Sequence, residues 1–378
     1  MTAESLTKIF TSKKCEFSFA PENSRWLKEL KASVPLQPEH LWILSSGTHR
    51  TKSVKAIAHK KEGFLLAAES ANSHLQVTNK DVWLNILPTY HVGGLAIHAR
   101  AFLSGSKVIE PKMLKWDPKL FCDILQKSKA TLTSLVPTQV FDLVEANLPV
   151  PMCLRAVVVG GGALNETLYA KARGLGWPLL PSYGMTECGS QVATAKVSSL
   201  GGSGFPSLQP LQHIELKLAE QKIFIRSPAV CDWICTLHEE GFRTLEWAAP
   251  TGWLKTEDLG EMGPFGLKVL GRQGDLIKIL GVLVNVADLE SRIRILAVEL
   301  GLKGQMAVVP FLDLRREHAL MLVTDGEPLF SQWSLLRKRL HEKFGGPEKI
   351  STLCWVPQIP TSSLQKIKRQ ELLGLLSF

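Results

Sequence analysis

Short apolar runs separated by helical patterns set the architecture of this chain. Leu154 to Val159 is an apolar, β-branched run that ends in Gly160-Gly161-Gly162, the pattern of a buried strand entering a backbone turn. Asn165 to Arg173 then carries a helical pattern. Leu179-Leu180 is a second short buried strand, ending at a loop that begins with Ser182. Strand, helix and strand at this spacing predict a βαβ unit with a parallel sheet. Ligands of such sheets bind at the carboxyl ends of strands, where the glycine triplet and the Ser182 loop both fall.

The same patterning extends outward. Asp117 to Lys129 places Leu120, Phe121, Ile124 and Leu125 on one face of a helix that starts at Asp117-Pro118. Ile214 to Leu218 and Ile223 to Ile225 alternate with period two around Ala219-Glu220-Gln221-Lys222, which predicts a β-hairpin and a β-rich portion. Gly271-Arg272-Gln273-Gly274-Asp275 is a turn-rich break. Beyond it come a predicted helix near Ala287–Leu300, strands near Met306–Pro310 and Leu320–Val323, and a helix near Ser331–Phe344, an α+β module of about 100 residues. The expected class is α/β. A large N-terminal domain (1–270) holds the βαβ parallel sheets and the β-rich portion, a hinge covers 271–275, and a small α+β C-terminal domain covers 276–378.

Composition narrows the class of protein without naming its chemistry. The 378 residues are 45% hydrophobic and 21% charged, as in globular chains. No run approaches the roughly 18 apolar residues of a membrane span, and Met1 to Phe19 lacks the apolar core of a signal peptide. Seven cysteines without paired spacing point to reduced thiols and a cytoplasmic setting. The net charge of +9 suits a polyanionic ligand. Basic residues are spread along the chain without interleaved aromatics, so nucleic acid is not an expected partner.

Ser182-Tyr183-Gly184-Met185-Thr186-Glu187 is the densest stretch of chemistry. Gly184 permits close backbone approach to a ligand, Thr186 can donate to a phosphate oxygen, and Glu187 is a hard oxygen ligand of the kind Mg²⁺ prefers. The order resembles the Tyr-Gly-x-Thr-Glu signature of the adenylate-forming superfamily, which includes acyl-CoA synthetases. Further segments match that superfamily in order. Leu87-Pro88-Thr89-Tyr90-His91 resembles Leu-Pro-x-x-His, whose histidine lies at the acyl pocket; the residue alone reads rather as a core histidine. Gly160-Gly161-Gly162-Ala163 resembles the turn that packs against adenine and acyl group. Gly252-Trp253-Leu254-Lys255-Thr256-Glu257-Asp258 resembles Gly-Trp-x-x-Thr-Gly-Asp, in which the aspartate binds the ribose hydroxyls, with Glu257 in place of glycine. Gly271-Arg272 resembles the hinge pair whose arginine also reaches the ribose.

Two regions depart from the pattern. Pro360 to Arg369 resembles Pro-Arg-Thr-x-x-Gly-Lys-x-x-Arg, which makes Lys366 the adenylation lysine, although Gln365 replaces the glycine and Lys368 leaves the register open. The phosphate loop begins as Ser45-Ser46-Gly47-Thr48 but lacks the second glycine and the proline of the family pattern. Ser46, Thr48 and Lys55 then become the phosphate-binding candidates, together with Ser182, Tyr183 and Gly184. About forty residues precede this loop, fewer than in relatives, so part of an N-terminal subdomain is expected to be missing.

Within the superfamily, Ser134-Leu135-Val136-Pro137-Thr138-Gln139, His91-Val92-Gly93-Gly94 and the Ser182 hexapeptide resemble the o-succinylbenzoate–CoA ligases of menaquinone biosynthesis. That resemblance implies ATP, Mg²⁺ and coenzyme A as cofactor and co-substrates, a small-molecule acid as partner, and no membrane segment; homodimerisation stays open. Arg100 becomes a candidate for the second substrate carboxylate, or else a surface arginine snorkelling from a helix. Thr138 and Gln139 become polar pocket residues, or else a helix cap after Pro137. The implied reaction has two steps, with Lys366, Thr186, Glu187 and His91 serving adenylation. A rotation of the small domain about 271–275 then turns Lys278 and its neighbours to the site for thioester formation. A CoA ligase for another aromatic or fatty acid, and a weakly catalytic nucleotide or acyl-CoA binder, are the alternatives.

Overall fold

The computed structural model describes residues 3–376 apart from 20–23, 33, 35–36, 46–52, 112–114, 239–242, 314–316, 327–329 and 362–366. Ser46, Thr48 and Lys366 lie outside the described residues. The described chain forms two compact units. One ends at Thr256 and resumes for Gly260–Val269; the other holds Glu257–Leu259 and the chain from Leu270 onward.

The centre of the first unit is a seven-stranded sheet in the order Gln209–Pro210, Ser190–Thr194, Leu179–Met185, Ala156–Val159, Leu132–Leu135, Val82–Leu84 and Lys107–Ile109. The five strands from Leu179–Met185 to Lys107–Ile109 are parallel, and the other two close the sheet antiparallel. Its strand Ala156–Val159 is apolar and buried throughout, the pattern of a parallel strand covered on both faces. The predicted helices start where their caps dictate. Asp117 accepts from the Leu120 amide at 2.8 Å, and Asn165 from the Leu168 amide at 2.7 Å.

A second sheet, in the order Glu16–Ser18, His40–Ser45, Ser53–Lys60, Trp233–His238 and Arg243–Trp247, flanks the first. The predicted hairpin forms between Glu215–Ala219 and Lys222–Arg226. Its turn residues Glu220 and Gln221 both take positive φ, 49° and 64°, the twist a two-residue hairpin loop needs.

One polar cluster ties the first unit together. Asp81 is buried, accepts from Arg155 Nε at 2.8 Å and Nη2 at 2.9 Å, and also from the Thr131 hydroxyl and the Thr78 amide. Burial pushes the carboxyl upward, but these donors outweigh it and hold the group at about 2. The folded value is below that of the unfolded chain. The stabilisation is therefore present above roughly pH 4 and drains away as pH falls toward 2. Asp81→Ala strands Arg155 and is expected to cost about 3 kcal/mol at neutral pH. Urea unfolding at pH 7 and pH 3 should show the wild-type advantage shrinking at the lower pH. An equal advantage at both pH values would contradict this account.

The second unit is the α+β module expected from the pattern. Met306–Asp313, Glu317–Thr324 and Ile350–Trp355 form a three-stranded sheet. Helices Val286–Glu299 and Phe330–Lys343 cover one face through Leu289, Ile293, Leu296, Leu336 and Leu340. Leu372 of the last helix packs with Val309, Met321 and Val323. No helix among the described residues is long and apolar enough to cross a membrane.

Candidate active site

In the first unit the first four residues of the Ser182 hexapeptide, through Met185, are strand, where a loop was expected. Leu179–Met185 continues past the parallel sheet because Ser182, Tyr183, Gly184 and Met185 find antiparallel partners at Thr194, Ala193, Gln191 and Ser190, with a register shift at Tyr183/Gly184. The need for glycine at 184 is also internal. A Cβ there would lie 1.9 Å from the Ser190 carbonyl oxygen, so the close approach is to the chain's own backbone. Ser190 carries φ 111°, a strained conformation for a residue with a side chain. The Ser182 hydroxyl pairs with the Thr194 hydroxyl at 2.8 Å.

Thr186-Glu187-Cys188 then forms one 3₁₀ turn, ended by the left-handed Gly189. Both leading carbonyls are tied down. The Thr186 oxygen accepts from His59 Nε2 at 2.7 Å, and the Glu187 oxygen from the Cys231 amide at 2.8 Å. Thr186 and Glu187 stay partly open to solvent. A half-buried carboxylate beside a hydroxyl is an all-oxygen donor set. It fits Mg²⁺, which takes one or two carboxylates and completes its shell with water and phosphate.

The glycine turn follows strand Ala156–Val159 and abuts the motif. A Cβ on Gly160 would meet the Ser182 carbonyl oxygen at 3.5 Å, and one on Gly162 would meet Pro137 Cγ at 3.5 Å. Gly161 has φ 78°, and Gly161 and Gly162 are exposed, a bare backbone ridge beside Ser182. Pro137 opens helix Pro137–Glu145. The Gln139 side-chain oxygen accepts from the Val136 amide at 3.0 Å, so Gln139 serves as a helix cap rather than as a free pocket group. The Thr138 hydroxyl oxygen is buried with no hydrogen-bond partner among the described residues.

His91 is the residue before helix Val92–Ser104, with its ring 4.7 Å from that of Tyr90. Gly94 is dictated by packing, since a Cβ would lie 2.3 Å from the Pro88 oxygen. Arg100, on the same helix, is not a snorkelling surface residue. It is 2% exposed; its guanidinium lies 5.7 Å from the Trp83 ring centre and reaches the Ser190 hydroxyl at 3.4 Å. Among the described residues its Nε has no hydrogen-bond partner and no carboxylate pairs with it. Burial alone lowers the guanidinium to about 10, so it remains a cation at neutral pH. Lys55 is exposed on strand Ser53–Lys60, opposite Ser45 and Thr236.

In the second unit, buried Asp258 holds Arg272 through an Oδ1–Nε contact of 3.3 Å, with the arginine side chain 44% exposed. Glu257, the departure from the family glycine, is exposed. Gly271 takes φ 132° and faces the Asn285 amide, which a Cβ would approach to 2.6 Å. Gly274 has open space around it. Lys278 is exposed on hairpin Leu276–Ile279/Val282–Asn285. Lys366 is bracketed by described neighbours: Thr361 bridges Ile367, and Arg369 donates to Glu290 Oε2 and to the Val308 oxygen, both at 2.9 Å.

Sequence reasoning missed His59 and Ser190. The only signal for the former was one histidine ending the buried run Ala56-Ile57-Ala58.

A family model described as AMP-binding enzyme matches residues 4–224, more than half of the chain. The chain belongs to this family. Among curated AMP-binding relatives, 2-succinylbenzoate–CoA ligase of Bacillus thuringiensis subsp. konkukian is 27% identical over 349 residues, 88% of this chain and 69% of that protein. A variant of E. coli MenE with bound OSB-AMS superposes with a TM-score of 0.65 at 25% identity, covering 89% of this chain and 68% of that one. The Bacillus subtilis o-succinylbenzoate CoA synthetase, in complex with its acyl-adenylate intermediate OSB-AMP, gives a TM-score of 0.71 at 24% identity, covering 88% and 68%. The last of these shows the AMP-binding fold alone.

Proposed function

We propose that this chain is an ATP-dependent acid–CoA ligase that converts o-succinylbenzoate to its CoA thioester through an acyl adenylate. The observation that carries the substrate is Arg100. A buried cation without a counter-ion is costly, and burial of a ligand carboxylate against it removes that cost. A substrate with two carboxylates supplies one for activation and one for Arg100, with the Ser190 and Thr138 hydroxyls as further donors. A ligase for a monocarboxylic fatty or aromatic acid has no use for this cation.

In the first step the substrate carboxylate attacks the α-phosphorus of ATP and pyrophosphate leaves. Thr186 and Lys55 donate to phosphate oxygens, and the exposed ridge at Gly160 to Gly162 offers backbone to the adenylate. Glu187 would hold a Mg²⁺ ion, whose charge offsets that of the departing pyrophosphate. Asp258, an acceptor, receives the ribose hydroxyls with Arg272 beside it, and His91 borders the acyl group. Lys366 supplies positive charge between carboxylate and phosphate, where charge develops. In the second step the CoA thiolate attacks the acyl carbon and AMP leaves, with Lys278 on the presented hairpin. Positioning and electrostatics carry most of such chemistry. The seven free cysteines support a cytoplasmic setting.

Pyrophosphate release with ATP, Mg²⁺ and a panel of acids tests the proposal. Release with o-succinylbenzoate well above that with benzoate or a fatty acid is the expected result. No release with any acid would favour a protein that binds nucleotide without turnover.

A further inference from the structure

The Thr186–Glu187 turn is positioned from outside its own hairpin. Strand Ser53–Lys60 leaves the 46–52 segment, and its seventh residue, His59, is 1% exposed. Burial lowers its imidazole to about 4, so the ring is neutral and carries one N–H. The Thr186 carbonyl can only accept, which assigns that proton to Nε2 at 2.7 Å. The ring packs edge-on against Phe64, 5.7 Å between centres and 65° between planes, which fixes its rotation. The Ala229 backbone also contacts the ring. Cys231 and Asp232 complete the frame: the Cys231 amide holds the Glu187 oxygen, and the Asp232 amide holds the Ala58 oxygen at 2.9 Å.

We propose that His59 is a positioning residue for nucleotide binding, a role that rests on the ligase reading above. Its Nε2–H pins the Thr186 carbonyl to strand Ser53–Lys60 and thereby sets the direction in which the Thr186 hydroxyl and Glu187 carboxylate face phosphate and cation. Two successive carbonyls, at 186 and 187, are held by groups from outside the turn. Without the imidazole, the Thr186 carbonyl keeps, among the described residues, the Gly189 amide at 3.1 Å, which belongs to the same turn. Groups that orient a ligating residue from behind typically change affinity by about 10- to 100-fold when removed.

The test is equilibrium binding of Mg·ATP, and separately of AMP without Mg²⁺, to wild type, His59→Leu and His59→Gln, at a temperature where each variant is folded by circular dichroism. His59→Leu should raise the Kd for Mg·ATP at least about tenfold and change that for AMP less than about twofold, because AMP lacks the phosphates that Thr186 and Glu187 address. His59→Gln, which keeps a donor, should recover most of the Mg·ATP affinity. If His59→Leu does not fold, His59→Phe fills the same slot against Phe64 and is held to the same expectation. Unchanged Mg·ATP binding in the apolar variant, or equal weakening for both nucleotides, overturns the role of His59. A wild-type protein that binds no Mg·ATP overturns the ligase reading instead.

Discussion

Arg100→Leu is expected to lower kcat/KM for o-succinylbenzoate by about 10²- to 10³-fold, the scale for removing one member of a buried charge pair. Mg·ATP binding should stay within about twofold, because the hydrogen bonds and ring contact of Arg100 among the described residues go to Trp83, Ser190 and neighbours on its own helix and the preceding one. The same change should raise the melting temperature. In the protein without substrate the guanidinium is a buried cation with no acid partner among the described residues, and an apolar side chain relieves that cost. Activity and stability therefore move in opposite directions, a pairing that a generally damaging mutation would not give. Steady-state pyrophosphate release with o-succinylbenzoate and benzoate, beside a thermal melt, measures both. An unchanged preference for the dicarboxylate would remove Arg100 from the acid site, and a lowered melting temperature would show that it serves the core.

Lys366→Ala should slow adenylation by about 10²-fold or more, as for loss of a donor aimed at transition-state charge. Thioester formation from supplied acyl adenylate should be largely retained. The neighbouring Lys368 provides the control. Its ammonium is paired with Glu371 at 2.9 Å on the surface, so Lys368→Ala should leave both half-reactions near the wild-type rate. Single-turnover assays of each half-reaction distinguish the two lysines. Equal losses in both half-reactions for Lys366→Ala would end its assignment to adenylation, and a Lys368 effect confined to adenylation would shift the register by two residues.

Where the sequence was legible, the reason was local. Asp117 and Asn165 cap helices whose first turns follow them directly, and Glu220-Gln221 closes a hairpin between its own flanking residues. The α+β module after 271 followed from periodicity alone. The Ser182 segment was misread because its partner strand, Ser190–Thr194, has no strong alternation, and an extended stretch containing glycine and serine resembles a loop until that partner is known. In the candidate site, the motifs offered phosphate and ribose candidates by resemblance, whereas the contacts that support them come from far away. His59 and Thr186 are 127 residues apart, and Arg100 and Ser190 are 90 apart. Neither distance leaves a trace in periodicity. The burial of Arg100, which excludes the snorkelling alternative, likewise required the packed helix.

The left-handed backbone of Ser190, pressed against Gly184, has a consequence for directed evolution. Glycine at 190 would relieve strain of about 1–3 kcal/mol and at the same time delete the hydroxyl that Arg100 touches. A library selected only for heat resistance should thus converge on Ser190→Gly and Arg100 replacements together, and its survivors should be sturdy proteins that no longer discriminate between acids. Selection for turnover on the dicarboxylate should return serine and arginine as a linked pair.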